Sequence, residues 1–294
     1  MSETSLLKPV QDDEEDLGLW RVSLTVQARA LEAMLADDED RDYRVFISMR
    51  YWHPMSDEAA REVADWGAEQ VVLLPLYPQF STSTTESSAR DWSRAANAIG
   101  FNVPTSVICC YPRQEDYIQA QVELLRREMQ QCPNPVQVLF SAHGLPVKFI
   151  EAGDPYQWQI EQCALAIARD AGLGTADFRV CYQSRVGRLE WIGPSLDVAL
   201  EKAARQSMNV VVMPISFVSE HSETLVELDI EYKKIAADLG IQHYRRVPTL
   251  TAHPGYIEGL AELARDAATK RGLCPPGGTR YCPKRFARCL CADI

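Results

Sequence analysis

The sequence predicts an α/β protein built from two similar doubly wound, Rossmann-like halves, with parallel sheets flanked by helices and a Cys-rich C-terminal tail. Three observations carry this reading. Short β-branched or aliphatic runs alternate with amphipathic helical stretches, the pattern of βαβ units. Runs such as Val71-Val72-Leu73-Leu74 are apolar without alternation, which suits strands covered on both faces. A break at Cys132-Pro133-Asn134-Pro135 divides the pattern in two.

The elements follow in order. Residues 1–20 read as irregular, and the acidic run at 11–16 as solvated and disordered. Val22, Val26, Ala30, Leu31 and Met34 recur at helical spacing over 21–36. Strands are expected at 44–49, 70–76, 104–109, 136–141, 178–182 and 209–217, with a weaker one at 242–247. Helices are expected at 56–67, 86–99, 114–131, 155–171, 194–207, 222–239 and 254–271. This gives an N-terminal stretch (1–42), a first half (43–135), a second half (136–253) and a final helix with its tail (254–294) that folds back on the first half.

Composition excludes several classes. The chain has 294 residues, 46% hydrophobic, enough for real cores, and a formal net charge of −11. So acidic a chain is a poor nucleic-acid binder, because that affinity comes from Lys and Arg neutralising phosphates. No apolar run reaches the roughly 18 residues of a membrane span. The N-terminus lacks a basic stretch followed by an apolar one, so a cytoplasmic home is expected.

Open α/β sheets bind ligands beyond the carboxyl ends of their strands, and several such ends are polar here. One strand runs into Ala142-His143-Gly144, and another into Ser219-Glu220-His221-Ser222-Glu223. A lone histidine after a strand is more often structural. His and Glu together, however, suit Fe²⁺, which accepts both ligands, and both can be tuned for proton transfer near neutral pH. Glu223, Glu227 and Glu231 stand at i, i+4 and i+8 and line one helix face. That row reads either as a solvated acidic face or as a carboxylate ladder guiding cations or protons. Leu225, Val226, Leu228 and Ile230 are expected to pack the helix down. Tyr51, Trp52, Tyr77, Phe80, Trp191 and Phe217 could wall a flat apolar ligand, with Arg50 meeting an acidic side arm.

Four of the nine cysteines, Cys274, Cys282, Cys289 and Cys291, crowd into the last 21 residues. Four thiolates can hold a [2Fe–2S] cluster or a zinc ion. The other five read as reduced core or surface thiols.

Six ordered motifs resemble one family, the ferrochelatases, over roughly residues 43–270. They are Arg50-Tyr-Trp-His-Pro54, Tyr77-Pro-Gln-Phe-Ser-Thr-Ser-Thr-Thr85, Leu139-Phe-Ser-Ala-His-Gly-Leu-Pro146, Gly153-Asp-Pro-Tyr156, Gln183-Ser-Arg-Val-Gly187 with Trp191-Ile-Gly-Pro194, and the segment from Phe217 to Tyr232. The resemblance implies a class II chelatase-like fold and insertion of Fe²⁺ into a porphyrin, protoporphyrin IX, to form haem. His143 and Glu223 would be the central pair, on opposite walls of an apolar slot, with His221 in support and Glu227 and Glu231 continuing the acidic row. Tyr51, Tyr77, Trp191 and Phe217 would contact the porphyrin, and Arg50 and Ser184 its polar rim. Cys274, Cys282, Cys289 and Cys291 would hold a [2Fe–2S] cluster, with Arg280, Lys284, Arg285 and Arg288 offsetting its charge. The implied partners are porphyrin and ferrous iron, in a monomer or homodimer touching the inner membrane at most peripherally. The family's opening strand, with its Gly-Gly-Pro-like turn, has no counterpart in residues 1–42. Its loss is expected to expose the neighbouring strand edge and part of the porphyrin wall. The alternatives are a porphyrin or haem binder without turnover, a chelatase for another metal or tetrapyrrole, and a cluster-bearing redox sensor.

Overall fold

The computed structural model describes residues 14–185 and 187–292. Helix α1 (Glu14–Leu35) leads to α2 (Ser56–Trp66), β1 (Val71–Leu73), α3 (Thr85–Ala98), β2 (Thr105–Ile108) and α4 (Glu115–Gln130). The second half runs through β3 (Val136–His143), α5 (Val147–Glu151), α6 (Tyr156–Ala171), β4 (Phe178–Gln183), α7 (Leu196–Arg205) and β5 (Asn209–Pro214). A π-helix (Glu223–Tyr232), α8 (Lys233–Asp238), β6 (Tyr244–Arg246), α9 (Pro254–Ala268) and β7 (Gly272–Cys274) follow, then a short 3-10 turn (Pro276–Gly278) and the tail.

The strands form two parallel sheets, β1-β2-β7 and β4-β3-β5-β6. Helices cover both faces of each, as unbroken apolar strands require. In the second sheet, Val138 and Phe140 face a core shared with α4, α6 and α9. Leu139 faces the opposite way, toward α7 and α8, the period-2 alternation of a strand. The first sheet packs α2 and α3 on one side through Ala59, Val63, Trp92 and Ala95. The core that holds Ile108, Leu125, Ile160 and Leu260 spans both halves.

Several expectations are corrected. Residues 44–49 run without a strand ladder: Tyr43 and Val45 pack on the shared core and Phe46 on the α2–α3 core, but only Met49 makes a bridge, to Met55. Among the described residues β1 pairs on one edge alone, with β2. The strand β7 was not expected. Three residues with a glycine carry no periodic signal, and pairing with β2 alone defines them. Helix α1 begins at Glu14, inside the acidic run, whose earlier residues lie outside the described ones. Its packed face is Leu24, Gln27, Leu31 and Leu35, while Val22 and Val26 face outward. The segment 222–239 is a π-helix followed by a short α-helix. Leu228 is buried there, but Ile230 is exposed, because a turn bonded i→i+5 takes more residues than an α-turn and shifts the buried face.

Candidate active site and thiol cluster

The second sheet delivers the site at its carboxyl edge. His143 ends β3 and stands in register with Gln183 at the end of β4. Backbone bonds fix it: its N–H donates to Ser216 Oγ at 2.9 Å, and its carbonyl accepts from Tyr156 Oη at 3.0 Å. Gly144 follows because nothing larger passes. A Cβ there would sit 2.9 Å from the Gln183 carbonyl oxygen and 3.1 Å from the Trp191 ring.

His143 Nδ1 lies 2.6 Å from Glu223 Oε2, on the first residue of the π-helix. The two do not face each other across a slot. Both come from the second half and touch, with 44% and 34% of their side chains still exposed. Two surface hollows, one lined by Arg113, Asp266 and Lys270 and the other by Glu123, Arg126 and His253, lie away from the pair.

Charge is distributed unevenly along this edge. Burial works against the ionised form of Glu223, but the His143 charge and hydrogen bond outweigh it and hold the carboxyl down at about 2. Burial likewise depresses His143, yet Glu223 wins and leaves the imidazole above its ordinary value. Glu227 moves the other way: burial raises it, against hydrogen bonds from Ser184 and Gln183. Ser184 Oγ lies 3.0 Å from Glu223 Oε2 and 2.6 Å from Glu227 Oε2, and its N–H donates to Glu227 Oε1 at 2.9 Å. Gln183 Nε2 donates to Glu227 Oε2 at 2.9 Å and to the Glu223 carbonyl at 3.0 Å. One hydroxyl hydrogen cannot serve two carboxylates at once.

The remaining expected residues are partly gathered. Phe217 is buried against His143 and His221, with ring centroids 6.4 and 4.8 Å away. His221 Nδ1 accepts from the Glu223 N–H at 3.2 Å. Trp191 bridges Pro146 beside Gly144, and its buried Nε1 has no partner among the described residues. Burial first, then Tyr51, raises Tyr77. Tyr51 itself is 71% exposed, under the Arg50 guanidinium at 5.3 Å. Arg50 donates to Ser87 Oγ at 3.0 Å and pairs loosely with Asp91 at 3.7 Å. Glu231 is exposed and outside the network. Ser184 belongs inside the carboxylate network instead of at a rim. Phe80 lines no wall; it is buried among thiols. Gln183, Ser216 and Tyr156 were missed as individuals, although Gln183 and Tyr156 stood within quoted motifs.

The thiols regroup. Cys109, Cys110, Cys282, Cys289 and Cys291 share one buried cluster with Phe80, but Cys274 is not among them. Cys291 contacts Cys109 and Cys289, Cys289 contacts Cys282, and Cys109 Sγ lies 3.5 Å from Cys110 Sγ. The reason is strand alternation. Cys274 pairs with Ile108 and so shares its face, toward the shared core. Cys109, one residue on, faces the other way. Hydrogen bonds from Cys282 and then Cys291 hold the Cys289 thiol well below its ordinary range. Arg280 donates to the carbonyls of Ala292, Pro283 and Phe286 and folds the tail, and its charge helps lower the Cys289 thiol. Among the described residues no three His, Cys, Asp or Glu side chains form a ready shell for one ion. The thiol contacts run in a chain from Cys282 through Cys289, Cys291 and Cys109 to Cys110, and four thiolates are the donor set of a two-iron cluster.

The doubly wound fold, with a His–Glu pair at its carboxyl edge, is the α/β architecture of the chelatases. Solved structures share that fold: SirB from Bacillus subtilis with Fe³⁺ superposes with a TM-score of 0.60 at 14% identity, covering 84% of this chain and 90% of SirB. SirB from Bacillus subtilis subspecies spizizenii in complex with cobalt gives 0.58 at 13%, covering 85% and 90%. The chain belongs to the ferrochelatase family, whose model matches residues 21–268. Ferrochelatase of Caulobacter vibrioides is 45% identical over 271 residues, 91% of this chain and 77% of that protein. That of Rickettsia bellii is 41% identical over 269 residues, 90% and 74%.

Proposed function

We propose that this chain inserts Fe²⁺ into a porphyrin, protoporphyrin IX, to form haem, with His143 and Glu223 as the reacting pair. The contact between these two side chains carries the reading. Insertion removes two pyrrole protons and leaves the oxidation state of iron unchanged. His143, with its raised pKa, is the better proton acceptor, while Glu223, held anionic, is the better oxygen ligand for Fe²⁺. An arriving cation that engages Glu223 loosens that carboxylate's hold on His143 and leaves the neutral imidazole free to accept a pyrrole proton. Ser184 and Glu227 then offer a route for protons away from the pair, with Gln183 holding Glu227 in place. Phe217 and Trp191 supply rigid flanks. A ring held bent against such walls exposes its nitrogens and resembles the transition state more than the flat substrate does.

We further propose that Cys109, Cys282, Cys289 and Cys291 hold a [2Fe–2S] cluster, with Cys110 as a neighbouring spare. Such a cluster supplies one-electron chemistry, and the insertion step needs none.

The test is an anaerobic insertion assay with Fe²⁺ and protoporphyrin, reading haem absorbance. His143→Ala and Glu223→Gln are each expected to lose about 10²–10⁴-fold in kcat, with porphyrin binding retained. Full activity in either variant would overturn the assignment.

A further inference from the structure

Gln159, on α6, is fully buried, yet neither the haem-forming site nor the core requires an amide there. Its Oε1 accepts from the Phe80 N–H at 2.7 Å. A backbone N–H can only donate, so this bond fixes which way the amide points. The Nε2 end must then face the thiols, and it lies 3.0 Å from Cys282 Sγ and 3.5 Å from Cys110 Sγ. The two N–H groups meet two sulfurs, and every polar atom of the amide has a partner.

The other side of this contact leads to the candidate active site. Phe80 follows Gln79, itself buried, whose Nε2 donates to the Ile215 carbonyl at 3.2 Å. Ser216, the next residue, holds the His143 N–H. Phe80 precedes Ser81 and Thr82, which both donate to Asp154, just before α6. The tail joins the same knot through the Arg288 N–H on the Gly153 carbonyl at 3.1 Å. One side chain thus bridges the thiol pocket and the loop on which the strand ends rest.

We propose that Gln159 is a positioning residue coupling the state of the thiol cluster to the loop 77–85 and, through it, to porphyrin binding. The inference rests on the [2Fe–2S] reading above. Hydrogen bonds donated to a ligating sulfur stabilise the added electron and raise the reduction potential. Reduction puts more charge on sulfur and tightens its hold on the amide, and cluster loss releases it. In either case the acceptor offered to Phe80 shifts with it.

The experiment compares wild-type protein with Gln159→Leu and Gln159→Glu, each purified anaerobically and assayed for iron and acid-labile sulfide. Three readouts follow: the cluster midpoint potential, hydrogen exchange at the Phe80 amide, and porphyrin affinity by fluorescence quenching. In Gln159→Leu the midpoint should move to more negative potential, Phe80 exchange should quicken at least about tenfold, and porphyrin should bind several-fold more weakly. Gln159→Glu keeps an acceptor for Phe80 but removes both donors. It should lower the midpoint while leaving Phe80 protected. In the wild-type chain, stripping the cluster should quicken Phe80 exchange, which tests the coupling even where a variant does not fold. An unchanged midpoint in both variants, or unchanged Phe80 exchange on stripping, would overturn the coupling while leaving the cluster standing. A reconstituted wild-type chain without iron and sulfide would overturn both.

Discussion

At the residue scale the decisive fact is that Glu223 and Glu227, four residues apart, are pushed in opposite directions. Glu223 is folded with a carboxyl near 2, below its ordinary 4.5, so its contribution to stability is present above 4.5 and fades as pH falls toward 2. His143 is raised above 6.5, so its contribution is present below 6.5 and fades as pH rises through the folded value. The pair therefore stabilises the fold most between about pH 4.5 and 6.5. Melting temperatures of wild type and Glu223→Gln across pH 3–9, roughly the range that brackets both transitions, should differ most in that window. Equal differences at all pH values would count against the ion pair. Ser184 holds both carboxylates from a left-handed backbone at φ 57°. Ser184→Ala should raise the Glu227 pKa, shift the acid limb of the kcat profile upward, and cost about tenfold in kcat. An unmoved acid limb would show that Glu227 does not take part.

At the element scale the site depends on close approach and on the α1 anchor. Gly144→Ala would press a methyl group onto the Gln183 carbonyl, which belongs to a paired strand and cannot swing away. The variant should fold yet lose more than about tenfold in activity, since sub-ångström misplacement of reacting groups is costly. Wild-type turnover would mean that the strand yields freely. Helix α1 reaches the site through Gln27, whose amide donates to the Val218 and Thr251 carbonyls at 2.9 Å and accepts from Ser219. Gln27→Leu leaves those groups buried and unpaired and should destabilise by about 1–3 kcal/mol in urea unfolding. The same helix shows the limit of periodicity. Val22 and Val26 satisfied the spacing, but the packed stripe runs through Leu24, Gln27 and Leu31. The spacing marks a helix without marking which of two apolar rows meets a neighbour. The π-helix is a similar case: its spacing suits an α-helix, and the chain adopts the wider turn over Glu223–Tyr232.

At the scale of the whole molecule, two halves share one core, and the tail returns to the first sheet through β7. That return separates Cys274 from the other tail thiols and brings Cys109 and Cys110 to them. Cys282→Ser, Cys289→Ser and Cys291→Ser should each reduce iron and sulfide to near zero after reconstitution, while Cys274→Ser should keep wild-type content. Loss of the cluster in Cys274→Ser would sink the regrouped ligand set. Among the described residues no helix is long and apolar enough to cross a membrane.

Chain-local information determined much of this protein. Most of the strand and helix order, the doubly wound class, His143 at a strand end, Glu223 at a helix start, and the ferrochelatase motifs all depend on spacing within short windows, where side-chain alternation and turn chemistry act. The tertiary structure alone decided which thiols meet, that Ser184 lies between two carboxylates, and that residues 44–49 lack a ladder. The Ser184 contacts and the meeting of Cys109 with Cys291 join residues tens to hundreds apart. Such contacts are set by how sheets register and pack, and no window of sequence contains the partner.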